Sequence, residues 1–160
     1  MKTLIILPLM LLVAGCEVGY RISRRGPATA VPDMILVAKR IKTYPEVEDV
    51  NYSHSISSSR PITLHGLEKG DELYYIRYAG GKNVQGTLSF SRDYQGRITY
   101  SQYLLSLNRP LPQDWVDATW PVMMKIEYDL VHKFGLKDLS TNSKTSRDRV
   151  EDPDRNANKP

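Results

Sequence analysis

The chain has 160 residues, 41% of them hydrophobic and 25% charged, a balance that suits one modest core and excludes a disordered or collagen-like chain. The formal net charge is only +4 and the basic residues are dispersed, which excludes the clustered basic stripe of a nucleic-acid-binding surface. A single cysteine excludes an intramolecular disulfide and a thiolate metal cluster. In chain order, Met1, Lys2 and Thr3 precede an apolar run over 4–13. That run is about half the roughly 20 residues a membrane-spanning helix needs, and Pro8 lies inside it. It reads as the hydrophobic region of a secretory signal, to be set aside from fold reasoning. Ala14 and Gly15 follow, and then the lone Cys16.

Leu12-Val13-Ala14-Gly15-Cys16, directly behind the apolar run, resembles the lipobox of bacterial lipoproteins. The resemblance covers residues 1–16 alone. It implies cleavage before Cys16, removal of 1–15, a diacylglyceryl thioether on the cysteine and acylation of the new amine. One acyl chain binds a membrane only marginally, whereas two or three anchor a protein durably. Glu17 leans towards the outer membrane, facing the periplasm.

Residues 16–31 contain Gly and Pro, no apolar period and three arginines, and read as a flexible tether. Arg21, Arg24 and Arg25 are candidates for contact with anionic headgroups, each worth about 1 kcal/mol near the surface; a plain solvated linker is the alternative. Residues 32–138 form the expected single domain, and 139–160 read as a disordered tail carrying charges of both signs.

Within the domain, Met34, Val37, Ala38 and Ile41 share one helical face, with Pro32 suited to a first turn and Pro45 ending the element. A strand over MILVAK is the alternative. Val47 to Tyr52 reads as a short strand, SHSISSS as loop or sheet edge, and PITLHG sets Ile62 and Leu64 on one side. In LYYIRY, Tyr74, Ile76 and Tyr78 alternate with Leu73, Tyr75 and Arg77, and Gly80-Gly81 closes the strand. GTLSFSRD, the turn DYQG and RITYSQYLLSL predict a hairpin from Gly86 to Leu105, with Leu88, Phe90, Ile98 and Tyr100 inward. Trp120, Met123, Ile126 or Glu127, Leu130 and Phe134 mark a last helix, capped by Thr119, with Pro121 in its first turn and Gly135 as its stop. Asp114 to Ala118 reads as a separate helical turn leading in. The expected fold is α+β: an antiparallel meander of four or five short strands, with an N-terminal and a long C-terminal helix packed on one face.

Motifs for chemistry are weak. His54, His65 and His132 form no ligand-spaced pair, Ser53 to Ser59 lacks a nucleophile-elbow pattern, and Glu46, Glu48 and Asp49 suit a solvated turn. No catalytic residue, metal or cofactor is assigned. Tyrosines concentrate in the strands, and Tyr75, Arg77 and Tyr103 are expected on the sheet face away from the helices, as a candidate binding surface. The leading expectation is a lipid-anchored, non-enzymatic envelope protein that binds another envelope protein as adaptor, assembly factor or inhibitor. A small hydrolase of peptidoglycan or esters, and a carrier of a lipid or apolar ligand, are the alternatives.

Overall fold

The computed structural model describes residues 19–56, 70–107, 110–137, 139 and 144–149, and for 19–21, 107 and 144–149 the description is of the backbone. The element order is β1 (Gly19–Ala28), α1 (Met34–Lys42), β2 (Asp49–Ile56), β3 (Glu72–Gly80), β4 (Val84–Arg92), β5 (Ile98–Leu107), α2 (Gln113–His132) and β6 (Lys144–Arg149). The fold is α+β. One antiparallel sheet runs β2-β3-β4-β5-β1-β6. β2 to β5 form the expected meander; β1 then inserts between β5 and β6.

Alternation sets the two faces, because successive strand residues point to opposite sides. Ile76 pairs with Leu88, and Phe90 with Tyr100. All four are wholly buried, as are Ile126 and Leu130 of α2 to within 1%. Each such side chain contributes about 1.5–3 kcal/mol by leaving water. Met34, Val37 and Ile41 of α1 join the same core, so both helices lie on one face of the sheet.

Local signals explain the helix ends. The Asp33 carboxylate accepts from the Ile35 and Leu36 amides at 3.0 and 3.1 Å and caps α1. Asp33 is therefore the cap, and Pro32 lies before the helix rather than in its first turn. Lys39, Arg40 and Lys42 occupy its last turn, favourable for the helix dipole. α2 is one continuous helix from Gln113, not a helix begun at Thr119 after a separate turn. Pro121 sits inside it on an exposed position, so the Asp117 carbonyl left without an in-helix donor faces water at modest cost. Thr119 is buried and serves the sheet instead: its Oγ1 accepts from the Gln85 amide at 3.1 Å. Gly135, at φ +70°, turns the chain back so that the Leu136 amide reaches the Leu130 carbonyl at 3.0 Å.

Two expected boundaries move. The tether over 16–31 is corrected, since 19–28 are strand β1 along the whole of β5. The tail over 139–160 is corrected in part: Leu139 is wholly buried and 144–149 pair with β1. β2 also runs through SHSI to Ile56. Ile62, Leu64 and His65 lie outside the described residues.

One cross-strand pair is unusually close. Gly86 stands opposite Tyr78, whose ring and hydroxyl occupy the space a Cβ at 86 would fill. Tyr78 is buried, burial pushes its phenol up, and its hydroxyl has no hydrogen-bond partner among the described residues. Gly86→Ala should therefore destabilise the domain by about 1–3 kcal/mol through overpacking. Tyr78→Phe should be neutral or stabilising by up to about 1 kcal/mol, because it removes a buried hydroxyl that gains nothing. Urea unfolding of both variants measures this.

Candidate docking face

The side of the sheet that neither α1 nor α2 covers is, among the described residues, a ladder of polar residues with a few large ones. From β2 to β1, one row runs Ser53, Tyr75, Ser89, Ser101, Arg25, and the next runs Asn51, Arg77, Thr87, Tyr103, Ser23. Arg77 and Tyr103 both pair with Thr87, which sets them two strands apart, or roughly 10 Å. The Arg77 guanidinium lies 5.2 Å from the centre of the Tyr75 ring, a cation–π contact. Arg77 is exposed and both tyrosines are half-buried. Small neighbours, Ser89, Ser101 and Thr87, leave the aromatic rings and the guanidinium standing above the sheet.

Arg24 and Arg25 of β1 point to opposite faces of the sheet. Arg25 is exposed on this open face, opposite Ser101. The expected headgroup contact of Arg24 is corrected, because Arg24 points to the helix side and is paired there. Its Nη2 is 2.6 Å from Glu127 Oε1 and its Nε 3.1 Å from Oε2. The side chain of Arg21 and all of Cys16 lie outside the described residues.

This pair anchors a buried polar network that the periodicity of α2 only hinted at, through a charged residue on its apolar stripe. Tyr100 donates to Glu127 Oε2 at 3.1 Å; Gln102 donates to the Tyr100 hydroxyl and to the Met123 carbonyl, the latter at 2.9 Å. Glu127, Tyr100 and Gln102 are all buried. The hydrogen bond to Glu127 holds the Arg24 guanidinium above its ordinary pKa, and burial raises the Tyr100 phenol. The space between sheet and α2 is thus occupied by these groups and by Met123, Ile126 and Leu130.

A second network joins the helices. Asp129 accepts from Arg40 Nε at 2.5 Å and the Tyr44 hydroxyl at 2.7 Å, with Lys133 Nζ at 3.3 Å. Lys125 Nζ lies 4.4 Å above the Tyr44 ring and 3.7 Å from Glu46. Burial alone would raise the Asp129 carboxyl, but the hydrogen bonds from Arg40, Tyr44 and Lys133 outweigh it and hold the group below the usual range.

The remaining candidates disperse. Ser53 and His54 are neighbours in β2 and so point to opposite faces. His54 stacks on Tyr74 at 4.2 Å and 8°, and Tyr74 donates to Glu72, which Arg92 approaches at 3.3 Å. This stack was not foreseen from the sequence, which carries no spacing signal for it. His132 lies against Tyr128 at 4.1 Å at the end of α2. Glu48 accepts from the Gly81 amide at 3.0 Å and ties down the β3–β4 turn. Among the described residues no cluster of histidine and acidic side chains is composed to hold a metal, and no helix is long and apolar enough to cross a membrane.

Comparison with protein-family models, with curated proteins and with solved structures gives no match.

The buried pair is open to a double-variant measurement. Glu127→Ala removes the buried carboxylate that Arg24 and Tyr100 both bond to and should destabilise by about 3–5 kcal/mol. Arg24→Met combined with Glu127→Leu replaces the pair by apolar volume and should recover most of that loss in denaturant unfolding. For Asp129, the folded state binds the proton less readily than the unfolded state. Its stabilisation is therefore complete above about pH 4–5 and is lost as the pH falls through the folded value. The urea midpoint of Asp129→Asn should lie below that of the unsubstituted protein at pH 7, and the gap should narrow steadily towards pH 3.

Proposed function

We propose that this protein is a lipid-anchored bacterial envelope protein, held by acylated Cys16 and acting as a non-enzymatic docking module for another envelope protein. The working surface in this reading is the open sheet face with Tyr75, Arg77 and Tyr103. The observation that supports it is the grouping of an exposed arginine over one tyrosine ring with a second tyrosine two strands away. Tyrosine and arginine are the residue types that carry binding energy at protein interfaces, since each offers large, rigid area with a polar tip. A face of serines and threonines around them is small enough to let a partner reach the rings. The anchor part of the reading rests on the lipobox resemblance and on the outer-membrane preference that Glu17 suggests.

Two measurements test the reading separately. Mass spectrometry of the mature protein should find Cys16 as the first residue, carrying diacylglycerol; an uncut leader with a free thiol would end the envelope assignment. A photo-crosslinker at Thr87, between Arg77 and Tyr103, should trap one discrete protein species in the native envelope. Arg77→Glu should weaken that capture by about tenfold or more, the effect of losing an interface hot spot. Capture that is indiscriminate, or unchanged by Arg77→Glu, would refute docking through this face.

A further inference from the structure

β1 begins at Gly19, three residues beyond Cys16. Three residues of fully extended chain reach at most about 11 Å. The headgroup layer on one side of a bilayer takes up roughly 5–7 Å, half the difference between the full thickness and the hydrocarbon core. A chain attached to lipid at Cys16 thus has only about 5 Å to spare before the sheet starts, whereas a flexible tether over 16–31 would reach roughly 50 Å. The leash is short because β1 is a strand.

The end of the sheet next to Gly19 is defined by the register. Gly19 pairs with Leu107, and Arg21 with Leu105. Leu105 is 41% exposed. Leu111 and Trp115, both half-buried, pack on Ile22, Leu104 and Val116 at the same end. The β3–β4 turn comes there too, with Lys82 exposed, and Asn83 Nδ2 donates to Asp114 in the first turn of α2 at 2.7 Å. Tryptophan, leucine and lysine together suit the boundary between headgroups and acyl chains. Ile56 and Tyr94 are exposed at the opposite end, so apolar exposure by itself does not select an end; the covalent reach does.

Resting on the acylated-Cys16 reading, we infer that the domain stands on the phospholipid surface on the sheet end formed by Leu105, Leu111, Trp115 and Lys82. The strands rise from the membrane, and the β4–β5 turn with Tyr94 lies roughly 30 Å farther out, the length of a strand such as β5. The Tyr75–Arg77–Tyr103 face then looks along the bilayer, towards a neighbour held in the same membrane.

The test uses the full acylated protein in vesicles of phosphatidylethanolamine and phosphatidylglycerol with brominated acyl chains. Trp120→Phe leaves Trp115 as the single tryptophan, since the chain has two. Its emission should be largely lost on brominated vesicles relative to unbrominated ones. The tryptophan of Tyr94→Trp, in a background with Trp115→Phe and Trp120→Phe, should keep its emission. Amide exchange on the unsubstituted protein guards against a folding defect in these variants: residues 111–116 should slow on vesicles and residues 93–97 should not. Acylated Cys16 with an unquenched Trp115 and unchanged exchange over 111–116 overturns this orientation and leaves the anchor intact. Equal quenching at both ends overturns it as well. An unmodified Cys16 overturns the anchor reading itself.

Discussion

Glu127 lies on the apolar side of α2, where an uncompensated carboxylate is among the most costly groups a core can hold. Arg24 meets it with a two-pronged pair from a strand 103 residues earlier in the chain. Removing one partner of such a pair costs about 3–5 kcal/mol, a large share of the roughly 5–15 kcal/mol that holds a domain together. Tyr100 and Gln102 complete the network on β5. The pair therefore does more than satisfy two charges: it presses β1 against β5 in one register and holds α2 over both.

Once β1 is in place, the two sides of the sheet diverge. The helix side is dry at its centre, where α1 and α2 cover it, is crossed by two polar networks whose groups largely satisfy one another, and opens to water along β2 at Tyr52, His54 and Ile56. The other side is wet, built from serine and threonine with Tyr75, Arg77 and Tyr103 above them. A sheet with one covered face and one free face is a suitable scaffold for docking, because the free face is held rigid by packing it does not share. If Cys16 is acylated as proposed, the same strand that supplies Arg24 also shortens the leash from that residue, so the placement of the domain on a lipid surface and the integrity of its core would depend on one element.

Legibility in the sequence followed the range of the interactions. The β3–β4–β5 strands were readable because their inward residues, Ile76, Tyr78, Leu88, Phe90 and Tyr100, recur at a period of two and the β4–β5 turn carries Gly96, whereas the positive-φ positions of the β3–β4 turn fall on Lys82 and Asn83 rather than on Gly80-Gly81. The inner face of α1 was readable for the same local reason. The start of α2 was misplaced because Thr119 and Pro121 imitate a helix beginning, while Thr119 in fact bonds to the sheet. β1 was missed because its inward positions include Arg24, which looks like a solvated residue until Glu127 is known to face it. β6, KTSRDR, offers no apolar period at all; it is a strand only because the edge of β1 supplies backbone partners.

The amino-acid sequence by itself determined the alternating strands, the inner stripe of each helix and the placement of Tyr75, Arg77 and Tyr103 on alternate positions to the core. These depend on neighbours a few residues apart, where backbone geometry leaves little choice. Only the tertiary structure decided that Tyr75, Arg77 and Tyr103 gather across three strands, that Arg24 belongs to the interior, and that residues 19–28 are strand rather than tether. Each of those outcomes depends on pairing between distant segments, and the free energy that selects the pairing exists only once both partners have been brought together.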